Sequence, residues 1–106
     1  MTNPDHPLSE QFRVIAKKWV DADSAANMLE ESKTSILAKR MSELGDMPVS
    51  RAEMQVKASA DWHDYIKAMV ESREKAAMLK VQLEYIRMRF HEWQSHEATK
   101  RAEMKL

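Results

Sequence analysis

Cysteine is absent from this 106-residue chain, and glycine occurs once. The first absence excludes a disulfide framework and any thiolate-ligated metal. With a single Gly there is no glycine-rich loop to cradle a phosphate. Three prolines and few aromatics, set among abundant Ala, Glu, Lys, Met and Leu, leave little material for strands and much for helix. Net charge is also missing, because 17 basic and 17 acidic residues cancel, so no global field draws the chain to a polyanion. No apolar run approaches the roughly 20 residues of a membrane span. The opening MTNPDHPLSEQF lacks the basic and apolar pattern of a signal peptide. The expectation is one all-α domain in the cytoplasm, with no cofactor and no small-molecule substrate.

Charge is unevenly spread: residues 1–46 hold 6 basic and 8 acidic side chains, and residues 47–106 hold 11 and 9. Any affinity for anions therefore belongs to the second half.

Leu8, Phe12, Ile15, Trp19, Ala22, Ala26 and Leu29 recur at alternating steps of four and three, the stripe of an amphipathic helix or coiled-coil seam. From Leu29 the stripe continues through Lys33, Leu37 and Met41 in successive steps of four before reaching Leu44, a stutter that relaxes any supercoil. The spacing predicts a first helix over 9–44, after an arm at 1–8. It stops at Leu44-Gly45-Asp46-Met47-Pro48, where Gly45 can take a left-handed conformation and Pro48 blocks continuation. Ser50-Arg51-Ala52-Glu53 fits a capping box, with Val49 and Met54 as its hydrophobic staple.

A second stripe runs Trp62, Tyr65, Met69, Ser72, Ala76, Leu79, Leu83, Ile86, Phe90, Trp93. It predicts one unbroken helix over 51–106, following a turn at 45–50. At 1.5 Å per residue this rod is roughly 80 Å long against roughly 50 Å for the first helix. The fold expected is an antiparallel helical hairpin, coiled-coil-like, in which the second helix overhangs from about residue 87. Arg73, Lys80 and Arg87 line one edge of the second helix, and Asp23 and Glu30 an edge of the first, as pairs that set register.

Away from the main seam, Val70, Ala77, Met78, Val81, Tyr85 and Met88 form a further apolar stripe. Two faces imply two neighbours, and a lone hairpin encloses almost no core, so a dimer or larger homo-oligomeric bundle is expected. The alternative reading leaves these residues scattered on the surface, with the N-terminal segment folded over the rest.

HEWQSHE at 91–97 resembles a zinc-protease signature, but His91 and His96 are five apart rather than four. They lie roughly 140° apart on a helix and cannot share one ion. Glu92 with His96, and Asp61, His63 and Asp64 around Trp62, read as surface polar groups. No catalytic residue and no metal ligand set is expected.

The overhang sets Arg87, Arg89, Lys100, Arg101 and Lys105 against Glu92, Glu97 and Glu103, interleaved with Phe90 and Trp93. Such side chains can neutralise phosphates and stack on bases, or describe a solvated helix whose aromatics pack on a partner chain. The run Trp93-Gln94-Ser95-His96-Glu97-Ala98-Thr99-Lys100-Arg101, closing a long Ala-, Glu- and Lys-rich helix, resembles the ends of small all-helical proteins encoded by temperate phages and prophages among replication and recombination genes. The resemblance covers the C-terminal half. It implies a non-enzymatic accessory to DNA metabolism that oligomerises and touches single-stranded DNA or a phage or host recombination protein. Two other readings stay open: an adaptor or inhibitor of a host protein, docking through Phe90, Trp93, Ala98 and Met104, and a virion or scaffold component.

Overall fold

A computed structural model describes residues 7–105, and among these the only regular elements are three helices: α1, Leu8–Glu43; α2, Val49–Lys57; and α3, Ala60–Met104. The all-α expectation is met. The proposed arm at 1–8 lies mostly outside the described residues. No helix among them is long and apolar enough to cross a membrane.

The single helix expected from residue 51 onward is corrected to two. Val56 and Trp62, six apart, would lie about 120° apart on one continuous helix, yet both are buried. The chain reconciles them with a break at Ala58 and Ser59. The Ala58 amide still reaches Met54 O at 3.0 Å, but the Ser59 amide tightens to Val56 O at 3.0 Å. The Trp62 amide then donates to Ser59 Oγ at 3.2 Å, and the Ser59 hydroxyl donates to Val56 O at 2.6 Å. Ser59 is thus the N-cap of α3, with Asp61 adding a favourable charge in the first turn.

The capping box expected at Ser50 is likewise corrected. Pro48, at φ −55° and ψ 139°, is the N-cap of α2, and no side chain caps that end. The Pro48 carbonyl accepts the Ala52 amide at 3.0 Å, which starts the helix ahead of Ser50. Glu53 turns instead to Lys57, one turn on, at 2.8 Å. Val49 and Met54 are both exposed, so no staple forms.

Gly45 holds φ +83°, and its amide donates to Ser42 O at 3.3 Å. A Cβ there would meet nothing within 4 Å. The demand on this position is therefore conformational rather than steric.

The chain forms two compact units. In the unit Asp21–Ala76, small residues dominate the buried set: Ala22, Ala26, Ala52 and Ala76 pack with Val56 and Trp62. Short side chains on α1 and α3 let the two backbones approach closely. Three contacts fix an antiparallel register within this unit. Arg40 meets Asp61 at 3.4 Å, the Tyr65 hydroxyl donates to Leu29 O, and Arg73 meets Asp23, Asn27 and Glu30. Beyond Leu29 the half-buried line on α1 runs through Ser32, Ile36, Leu37 and Met41, while Lys33 is exposed.

The Arg73 cluster is the densest polar contact described. Nε and Nη2 donate to Glu30 Oε1 and Oε2, each at 2.9 Å. Nη1 donates to Asp23 Oδ1 at 2.6 Å and Nη2 to Asn27 Oδ1 at 2.6 Å. Asp23, Asn27 and Glu30 share one face of α1 because steps of four and three return to the same side. The Arg73 guanidinium holds the Glu30 carboxyl below its ordinary range through that hydrogen bond. Arg73 is itself pushed up, first by Glu30 and then by Asp23.

The other unit joins the described residues up to Val20 with those from Ala77 onward. Its buried centre is Leu83 and Ile86 on α3 with Gln11 on α1, flanked by half-buried Leu8, Phe12, Ile15 and Trp19.

Candidate functional site: the basic and aromatic end of α3

From Arg87 to Lys105 every side chain is exposed except Glu97, which is half-buried. This stretch remains helical to Met104. The apolar seam continues into it without being covered: Phe90 is 41% and Trp93 53% exposed. Their rings lie 6.1 Å apart at 27°, a stacked pair on consecutive turns. The His91 ring is 6.2 Å from Phe90.

Because α3 is continuous here, 100° per residue places the charges around the ring pair. Arg87, Arg89, Lys100 and Arg101 all fall within about 90° of the line through Phe90 and Trp93, two on either side. Glu92 and Glu103 fall more than about 100° away, and only Glu97 lies between the flanks. Lys105 follows at the helix end. The result is an aromatic ridge with cationic margins and an acidic back. Arg101, in the last turn, also opposes the negative pole of the helix.

Two of these cations are positioned by rings. The Arg87 guanidinium carbon sits 5.9 Å from the centroid of Phe12 on α1, and that of Arg89 sits 5.9 Å from Tyr85 one turn earlier. Each contact orients the side chain without neutralising it, so the charge stays available. The structure therefore joins Phe90 to Trp93 and anchors Arg87 and Arg89. Lys100, Arg101 and Lys105 are exposed.

Beside the ridge lies an open groove of about 310 Å³, lined by Leu8, Ser9 and Phe12 of α1 and Ile86, Arg87 and Phe90 of α3. Its signal in the sequence is the four-residue step from Leu8 to Phe12, matched by that from Ile86 to Phe90. Phe90 belongs to both the groove and the ridge.

The expected association residues are also exposed: Val70 in the unit Asp21–Ala76, and Ala77, Met78, Val81, Tyr85 and Met88 in the other. Among the described residues, no three His, Asp or Glu side chains come together to hold a metal ion. His91 and His96 are both exposed on separate faces of α3. No protein-family model, no curated protein and no solved structure matches this chain.

Proposed function

We propose that the chain is a non-enzymatic accessory protein of DNA replication or recombination, of the type temperate phages encode, working in the cytoplasm as an oligomeric helical hairpin. The C-terminal segment of α3 is its contact surface for nucleic acid. The observation that carries this reading is the ridge itself: an exposed stacked pair, Phe90 and Trp93, with Arg87, Arg89, Lys100 and Arg101 along both margins.

Cations at this spacing neutralise backbone phosphates and release condensed counterions, which supplies affinity without reading sequence. The exposed rings offer faces on which unpaired bases stack, each worth about 1–3 kcal/mol in such complexes. A duplex keeps its bases stacked on one another, so single-stranded DNA is the better ligand. Fluorescence anisotropy with a labelled single-stranded oligonucleotide at low salt tests this. Saturable binding supports the reading, and a flat titration at high protein concentration removes it.

A second reading, an adaptor or inhibitor that docks on another protein, is favoured by the groove. Its lining is mostly apolar, and Phe90 stands at its edge, as a pocket for an amphipathic helix requires. Here Phe90→Ala abolishes capture of the protein partner while replacing Lys100 and Arg101 by Gln has little effect. On the nucleic-acid reading both changes weaken binding.

A further inference from the structure

The ridge occupies one side of α3, and the opposite side carries a second feature. Met78, Val81, Tyr85 and Met88 are 61%, 58%, 57% and 60% exposed, and Ala77 is exposed beside them. On a regular helix they centre roughly 160° from the buried Leu83 and Ile86, so the side chains that pack against α1 leave this face untouched. It is a continuous apolar strip three turns long.

We infer that this strip is the docking face for a second copy of the chain, α3 against α3 and antiparallel, with the two-fold axis beside Val81. Area is the first argument. Each of the four large side chains leaves on the order of 100 Å² uncovered, so two copies bring about 800 Å² of apolar surface together. The stems of Lys80, Gln82 and Glu84 along the margins extend this toward the roughly 1,200 Å² at which specific pairs become stable.

The direction follows from the order of the residues. An antiparallel pair centred beside Val81 sets Met78 of each copy against Tyr85 of the other, a favourable sulfur and ring contact made twice. A parallel pair would set Met78 on Met78 and Tyr85 on Tyr85 and forgo both of these contacts. It would also bring both basic C-terminal segments to one end of the pair, their ridges facing outward. The antiparallel pair puts the two basic ends at opposite poles, roughly 40 Å apart between midpoints. This inference stands apart from the nucleic-acid reading and survives its failure.

The absence of cysteine makes the test direct, because any thiol introduced is the only one in the chain. In the full chain, Val81→Cys is expected to link to itself with a short bifunctional thiol reagent. Met78→Cys and Tyr85→Cys are each expected to stay single alone and to link when mixed. Sedimentation velocity of the unaltered chain at tens of micromolar should give a dimer, converted to monomer by Val81→Asp with helical circular dichroism retained. Self-linking of Met78→Cys and of Tyr85→Cys would mean a parallel pair and overturn the inference. So would a monomeric unaltered chain.

Discussion

Arg73 grips Glu30 with two parallel hydrogen bonds, Nε to Oε1 and Nη2 to Oε2, both 2.9 Å long, across 43 residues of sequence. A guanidinium fork matches a carboxylate in this way, whereas an ammonium offers one point of charge. Arg73→Lys is therefore expected to lower the melting temperature despite keeping its charge, and Arg73→Met to lower it further. Thermal unfolding followed by circular dichroism checks the order. Equal melting temperatures in all three proteins would make the cluster ornamental.

The same contact predicts a pH dependence. Arg73 holds the Glu30 carboxyl below its ordinary value near 4.5, so the unfolded chain takes up this proton more readily than the folded one. The resulting stability is fully present above that value and is lost as pH falls through the lower, folded one. In Glu30→Gln the acid limb of stability against pH should be shallower below about 4.5, as read by urea unfolding at successive pH values. Exposure of the pair to solvent and salt keeps the difference small.

Capping separates two serines. Ser59 Oγ accepts the Trp62 amide at the start of α3, so Ser59→Ala should destabilise by about 1 kcal/mol, the usual worth of an N-cap. Ser50→Ala, at the exposed beginning of α2, should be nearly neutral. Chemical denaturation of both variants decides, and the reverse order would return the cap to Ser50.

Gly45→Ala should cost about 1–2 kcal/mol although the added methyl meets nothing, because φ stays at +83°. Its counterpart in the apolar centre is Ile86, almost fully buried. Ile86→Ala should cost about 2–5 kcal/mol through lost burial and the cavity left behind. A loss at Ile86 no larger than that at Gly45 would mean that this part of α3 is not packed.

Periodicity carried much of the fold. The steps of four and three identify residues that are buried or half-buried from Phe12 to Leu29 and from Trp62 to Ile86, and they place Arg73 opposite Asp23 and Glu30. Gly45 with Pro48 marks the turn because Gly accepts the positive φ that other residues resist and Pro cannot continue the helix before it. The break at Ala58 and Ser59 was harder to see, since Lys57-Ala58-Ser59-Ala60 contains neither Gly nor Pro. Its trace was the pair of three-residue steps from Val56 through Ser59 to Trp62, which no straight helix can keep on one face. Ser50 suits a cap by its sequence alone, but Pro48 begins the helix two residues earlier.

The candidate site was legible residue by residue but not as an arrangement. Arg87, Arg89, Phe90 and Trp93 stand out in composition. That the cations flank the rings, and that Glu92 and Glu103 lie behind them, follows only once α3 is continuous to Met104. The groove beside Phe90 needs Leu8 and Phe12 from the far end of the sequence, and no local pattern announces a contact across such a separation.

The most direct test of the account is the salt dependence of binding to single-stranded DNA. With four to five cations on phosphates, log K should fall against log salt with a slope of about −3, at about 0.7 per contact on a single strand. The variant with Arg87, Arg89, Lys100 and Arg101 replaced by Gln should lose most of both slope and affinity. Binding that ignores salt, or that persists unchanged in this variant, would contradict the assignment of the α3 ridge.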